Sequence, residues 1–287
     1  METGRTVVIT GASTGIGEAC ALHLDQLGFR VFAGVRKEID GEALKRKGSE
    51  RLQPLLLDIT EGRSIAAAAA TVREAVGEAG VYGLVNNAGI VVACMLEFVP
   101  LEELRYQLEV NVVAQVAVTQ AFLPLLRKAR GRIINIGSNS GFLATPFLGP
   151  YCASKFALEA LTDSLRIELR PWGMDVSIVE PGDIRTPIWK KSSEAAERLL
   201  RALPKEAHEL YDSSLGPVRA AAENSAARAI APDAVARVVA RALRAKRPTT
   251  RYRVGKDSTI QALLARFVPD RLRDALIANY IGLPKRA

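Results

Sequence analysis

The sequence predicts an α/β fold: a doubly wound, mostly parallel seven-stranded sheet with helices on both faces and a C-terminal helical extension. Three observations carry this expectation. Short β-branched or aliphatic runs alternate with helix-length segments through most of the chain. A glycine-rich turn joins the first run to the first helix. Small and amide residues then gather just beyond several runs, at the strand ends where sheets of this kind collect their ligands.

Composition fits a globular protein. Of 287 residues, 48% are hydrophobic and 24% charged, which excludes disordered and fibrous classes. Length alone allows two small domains or one large one, and the unbroken alternation favours one domain over 1–287. The N-terminus leads directly into a strand with no signal-peptide pattern, and no unbroken apolar run reaches the ~18 to 20 residues that span a bilayer, so the expected location is the cytoplasm. Cys20, Cys94 and Cys152 are far apart with no metal-type spacing, and read as buried reduced thiols. With only His23 and His208, no metal site is expected, nor a serine–histidine triad. The net charge is +8, and nine Lys/Arg against three Asp/Glu from Arg247 onward place +6 of it in the tail. Because these basic residues interleave with apolar ones, the tail reads as a solvated face; no nucleic acid is expected as a partner, and peripheral contact with an anionic membrane is the alternative.

In chain order, Val7-Val8-Ile9-Thr10 forms the first strand. It runs into Gly11-Ala12-Ser13-Thr14-Gly15-Ile16-Gly17 and then a helix. Glycines permit close backbone approach to a pyrophosphate, and the free N–H groups of a helix start favour its charge. The second strand, Val31-Phe32-Ala33, ends near Val35 and Arg36, where an acidic residue would grip ribose hydroxyls. Val35 fills that place, and Arg36 next to it suits a 2′-phosphate instead, so NADP(H) is the expected cofactor and NAD(H) the alternative. Leu55-Leu56-Leu57 makes a third strand ending at Asp58 and Ile59, followed by an alanine-rich helix from Ile65 to about Glu78. Leu84-Val85 begins a fourth, with Asn86, Asn87, Ala88 and Gly89 at its carboxyl end.

A long helical pattern runs from Leu101 to about Leu126 with Asn111 inside its apolar stretch. Asparagine is a poor helix former and costly to bury unpartnered, so it either accompanies an irregularity or does chemistry. The fifth strand, Arg132 to Ile136, precedes Gly137-Ser138. Thirteen residues after Ser138, Tyr151 and Lys155 stand four apart at a helix start and therefore share a face. At ~4 Å and an effective dielectric of about 20, the lysine charge is worth roughly 4 kcal/mol, enough to pull the phenol's pKa down by about three units before screening. Tyr252 and Lys256 repeat the spacing, but across a short strand ended by Gly255 they diverge.

Taken together, Thr10 to Gly17 (TGASTGIG), Asn86-Asn87-Ala88-Gly89, Asn111, Ser138, Tyr151-x-x-x-Lys155 and Pro181-Gly182-x-x-x-Thr186 resemble the short-chain dehydrogenase/reductase family in order and spacing. The resemblance covers about Thr6 to Thr186 and implies a Rossmann-type oxidoreductase. It implies Tyr151 as general acid/base, Lys155 lowering its pKa and holding the nicotinamide ribose, Ser138 on the substrate oxygen, and Asn111 holding a water. It further implies Gly11, Ser13, Thr14, Gly15, Ile16 and Gly17 around the pyrophosphate, and Asp58 and Ile59 at the adenine. Asn87, Ala88 and Gly89 would then line the riboses, and Pro181, Gly182 and Thr186 the nicotinamide. A glycine at 137, where many relatives carry serine, is a departure that leaves Ser138 in place. The segment from about 187 to 231 corresponds to the family's substrate lid, and a homodimer or homotetramer is implied. The tail, with a helix from Pro232 to about Ala245, a seventh strand at Thr250 to Val254 and helical turns from Ile260 to Ile281 broken at Pro269, resembles steroid and retinol dehydrogenase-like members. That implies a lipophilic ketone or alcohol substrate. The rival from another class is a dinucleotide-sensing binding protein without turnover.

Overall fold

A computed structural model describes residues 4–284. The expected lysine and arginine at 285 and 286, and the first three residues, lie outside them. Among the described residues seven strands form one sheet: β1 (Thr6–Ile9), β2 (Arg30–Val35), β3 (Leu52–Leu56), β4 (Gly83–Asn86), β5 (Arg132–Ile136), β6 (Asp175–Pro181) and β7 (Arg251–Val254). Their order is β3-β2-β1-β4-β5-β6-β7 and every pairing is parallel, so the expected mostly parallel sheet is wholly so. The order reverses between β1 and β4, which opens a crevice at their carboxyl ends.

Alternation along each strand builds two cores. Val7 and Ile9 of β1 face α1 (Gly15–Gln26), and this side is completed by α2 (Glu38–Lys45) and by α9 (Asp233–Arg244), whose Val235, Ala236, Val239 and Leu243 are buried at helical spacing. Val8 faces the other way, into a core with Leu84, Ile133, α3 (Gly62–Val76) and α5 (Ala114–Ala129). The three thiols are free and buried.

The long helical stretch departs from expectation at its middle. It runs from α4 (Leu101–Leu108) through a π-turn at Glu109–Val113 into α5, ending at Ala129 rather than Leu126. The Ala114 N–H reaches back five residues to the Glu109 carbonyl, and Asn111 sits within this wider turn. By length and composition Leu101–Ala129 is long and apolar enough to cross a membrane, although its residues are not an unbroken apolar run. Nearly half of its apolar window is buried in the protein.

Beyond β5 comes α6 (Gly149–Leu169), which opens with the tyrosine–lysine pair. The segment predicted as a lid folds as α7 (Ile188–Arg201) and α8 (Lys205–Arg228). Its two ends are zipped: the Ile230 N–H donates to Asp183 O at 3.0 Å and the Arg185 N–H to Ile230 O at 2.8 Å. Ala207, Leu199, Leu203 and Tyr211 form a small separate apolar cluster with Cys94, Met95 and Phe147, so these helices rest on the loops that follow β4 and β5. The tail continues as α10 (Lys256–Phe267) and α11 (Asp270–Ile281), interrupted at Pro269 as expected. Tyr252 is buried in β7 and its hydroxyl accepts from the Thr249 N–H, far from the role of Tyr151.

Candidate active site

The glycine turn after β1 is pinned from β4. Asn87 Nδ2 donates to Thr10 O at 2.9 Å and to Gly11 O at 3.0 Å, while Thr10 Oγ1 accepts from the Asn87 and Ala88 N–H groups. Gly11 and Gly15 hold positive φ, 64° in both. The start of α1 has no side-chain cap: Thr14 is extended and exposed, leaving the first N–H groups for a ligand. Thr186 lies against this turn, since a Cβ on Gly15 would be 3.1 Å from its side chain.

At the end of β2, Val35 is buried and Arg36 exposed, so no carboxylate occupies that position. Burial opposes the Asp58 charge, but hydrogen bonds from the Thr60 N–H and hydroxyl, aided by the Arg36 charge, outweigh it and hold the carboxyl below its usual range. Asp58 and Ile59 thus stand beside Arg36 on the far side of the crevice from α6.

Three buried amides line the helix that contains the π-turn. Gln107 Oε1 accepts from the Val92 N–H at 2.7 Å, Asn111 Oδ1 from the Ile90 N–H at 2.9 Å, and Gln115 Nε2 donates to Ala88 O. They stand at i, i+4 and i+8, and together they hold the segment from Ala88 to Val92 that follows β4. Asn111 Nδ2 also donates to Ile90 O at 3.1 Å and to Ser154 Oγ at 3.1 Å. Its side-chain amide is therefore committed to backbone and to α6.

Ser138 caps the turn after β5, its Oγ accepting from the Ser140 N–H at 3.1 Å and donating to Asn139 Oδ1 at 3.0 Å. Asn139 in turn donates to Gln261 of α10 at 2.9 Å, which ties the C-terminal extension to the centre. Tyr151 is hydrogen-bonded to Ser138, and Lys155 Nζ lies 5.8 Å from the centre of its ring. Lys155 is buried and donates to Ile136 O at 2.8 Å.

Burial dominates the electrostatics of this pair. Burial pushes the Tyr151 phenol up to about 12, with the Ser138 hydrogen bond pulling back only in part. Burial likewise pushes the Lys155 amine down to about 8, opposed by the Glu159 charge. In each group lost hydration is the first cause, and each then disfavours its own charged form. The phenol is thereby held protonated at neutral pH.

The short chain dehydrogenase family model matches residues 5–197 of this sequence. The chain belongs to that family. This short-chain dehydrogenase is an oxidoreductase, and its curated relatives include two with nearly complete overlap. Mouse retinol dehydrogenase 7 is 38% identical over 277 residues, 95% of this chain and 87% of the relative. Bovine 17-beta-hydroxysteroid dehydrogenase type 6 is 37% identical over 289 residues, 99% and 90% of the two chains. Among solved structures, a short chain dehydrogenase from Burkholderia cenocepacia in complex with NADP superposes with a TM-score of 0.72 at 28% identity, covering 98% of each chain.

Several residues of this short-chain dehydrogenase that build the centre were not legible beforehand. Gln107 and Gln115 were not singled out in the sequence, where their four-residue spacing to Asn111 was the available signal. Gly182 is close to Asp257 at the start of α10: a Cβ there would collide with the carboxylate, whose Oδ2 accepts from the Asp183 N–H at 2.6 Å. Its smallness therefore serves this anchor between β6 and the extension, beside Pro181. Arg251 and Arg253 are also not a solvated basic face, since both lie in ion pairs with buried Glu180.

Gly17 in this short-chain dehydrogenase has a testable requirement. A Cβ there would overlap the Gly11 carbonyl oxygen and stand 2.5 Å from Asn87 Nδ2. Gly17→Ala is expected to displace the Asn87 amide from two carbonyls and to destabilise the fold by about 2–4 kcal/mol. Urea denaturation of the variant measures this, and a change under ~0.5 kcal/mol would show that the turn relaxes without loss.

Proposed function

We propose that this protein is an NADP(H)-dependent oxidoreductase that interconverts a carbonyl and an alcohol on a lipophilic substrate of the retinoid, steroid-like or long-chain kind. The observation that carries the reading is the convergence of Ser138, Tyr151 and buried Lys155 at the carboxyl end of β5, beside the crevice where the sheet order reverses. The substrate class is supported by the retinol and hydroxysteroid dehydrogenases that the chain resembles over nearly its whole length.

The residues fit a dinucleotide. The uncapped start of α1 and the Gly11–Gly17 turn, with Ser13, Thr14 and Ile16, would hold the pyrophosphate. Arg36, with no acidic residue at the β2 end, would take the 2′-phosphate, and Asp58 and Ile59 the adenine. Asn87, Ala88, Gly89, Tyr151 and Lys155 would border the riboses, and Pro181, Gly182 and Thr186 the nicotinamide. A nicotinamide bound there supplies or accepts the hydride.

The chain's own groups handle the proton. Ser138 Oγ and the Tyr151 hydroxyl would both donate to the substrate oxygen, and in the reductive direction Tyr151 gives its proton to that oxygen as charge develops on it. A phenol held protonated at neutral pH suits this donor role. Lys155, fixed by Ile136 O, places its charge where a transient phenolate forms. The helices α7 and α8, resting on the loops around Cys94 and Phe147, would cover the substrate and exclude water.

The test is oxidation of NADPH and, separately, of NADH by the purified protein over retinoid, steroid, aliphatic and quinone carbonyls. The expected result is NADPH-dependent turnover of a lipophilic carbonyl. Turnover confined to small polar carbonyls would overturn the substrate class, and equal use of NADH would overturn the cofactor preference.

Self-association is part of the same proposal. Tyr106, Val113, Phe156, Leu161 and Ile167 are large apolar side chains exposed along α4, α6 and the intervening π-turn. Such a patch favours burial against a second copy. Sedimentation velocity is expected to give a dimer or tetramer, with Phe156→Glu moving it towards monomer; a monomeric wild type would refute this.

A further inference from the structure

The face of α6 that carries Tyr151 and Lys155 carries a third residue one turn further on, Glu159. Its carboxyl is 13% exposed and meets Glu180 of β6, which is 1% exposed. Arg251 of β7 bridges them, with Nη2 3.1 Å from Glu159 Oε2 and Nε 3.3 Å from Glu180 Oε1, while Asp163 Oδ2 takes the guanidinium at 2.7 Å. Arg253 Nε lies 3.3 Å from Glu180 Oε2. On the remaining sides stand the neutral backbone of Gly141 and Ser258 of α10, whose hydroxyl donates to Glu180 O.

Even with two arginines, Glu159 Oε1 and Glu180 Oε2 are buried without an aligned hydrogen bond. Two carboxylates that meet in one buried site repel, and an acid that donates to its neighbour's oxygen relieves both the repulsion and the unmet acceptor. Lys155 has a neutral carbonyl, Ile136 O, as its hydrogen-bond partner, and the charge that favours its protonated form is that of Glu159, one turn further along the helix.

We propose that Glu159 and Glu180 share a single proton, and that the ionisation of Glu159 sets the charge on Lys155, which makes Glu159 a positioning residue for the Tyr151–Lys155 centre. The consequence for Lys155 rests on the functional reading above, whereas the shared proton does not. The order of titration agrees: burial and the Glu180 charge push Glu159 up to about 7, against the pull of Arg251, and Lys155 is brought down to about 8. As pH rises through the first value Glu159 becomes negative, and that charge extends the lysine cation to higher pH. Below it Glu159 is neutral and lends Lys155 nothing.

Two measurements on the wild type test this without turnover. The infrared stretch of a protonated carboxylic acid should be present at pH 6 and fade as pH rises through about 7. In protein with ¹³C-labelled lysine, the Lys155 resonance should show an inflection over that same range before its own titration. Absence of either signal overturns the proposal. Glu159→Gln, which mimics the protonated acid, should leave kcat at pH 6 within twofold while lowering it about tenfold on the alkaline limb, as for a one-unit fall in the lysine pKa. Glu180→Gln should shift the infrared fade to lower pH and leave the alkaline limb in place. An unmoved limb in Glu159→Gln would sever Glu159 from the reaction. If Tyr151→Phe stays active, the catalytic reading fails while the two spectroscopic signals still decide the pair.

Discussion

Tyr151→Phe is expected to lower kcat by about 10²–10⁴-fold with little change in cofactor affinity. Phenylalanine keeps the ring and its packing at the start of α6, so the fold should be undisturbed, as near-ultraviolet circular dichroism would show. On the proposed mechanism, what disappears is the proton that the hydroxyl would deliver to the substrate oxygen. Ser138 cannot replace it, because a serine hydroxyl can hydrogen-bond the substrate oxygen but is a far weaker acid than the phenol. Lys155 remains on Ile136 O and still offers its charge to a bound dinucleotide. Steady-state kcat on the best carbonyl, with cofactor Kd from fluorescence, measures the effect. Activity within tenfold of wild type would remove Tyr151 from the proton-donor role and require another acid in the crevice.

Arg36→Asp should reverse the choice between cofactors. A charge-assisted contact to a 2′-phosphate is worth about 1.5–3 kcal/mol, so its loss lowers kcat/KM for NADPH by roughly 10- to 150-fold. The new carboxylate also repels the phosphate and offers acceptors to ribose hydroxyls, which favours NADH. There is a cost close by: Arg36 helps to hold Asp58 ionised, and an aspartate in its place would push that carboxyl upward. The ratio of kcat/KM for the two cofactors is the measurement. An unchanged ratio would assign the 2′-phosphate to another cation, of which Lys37, next in the chain and exposed, is the first to test.

The strands were legible to within a few residues because each is a local run of β-branched or aliphatic side chains closed by a turn. β3 is the clearest displacement: the run Leu55-Leu56-Leu57 predicted its position, but the strand starts at Leu52 because its partners on β2 extend the ladder through Gln53 and Pro54. The π-turn was only half visible. An asparagine inside an apolar helix announced an irregularity, yet the extra residue in the turn is held by Gln115 and Asn111 reaching the segment after β4, contacts that do not exist until the helix docks.

The sequence by itself determined the order of the elements, the glycine turn at β1, the absence of an acid beside Arg36, and the common helical face of Tyr151 and Lys155. All of these depend on residues within a few positions of one another. Tertiary structure alone decided the charge states on that face. The phenol is raised and the amine lowered because each loses water, and Glu159 is raised by burial and by Glu180, twenty-one positions away, against the pull of Arg251 from β7. Spacing along a helix fixes which side chains are neighbours, whereas desolvation and the sum of surrounding charges depend on what the rest of the chain places against them.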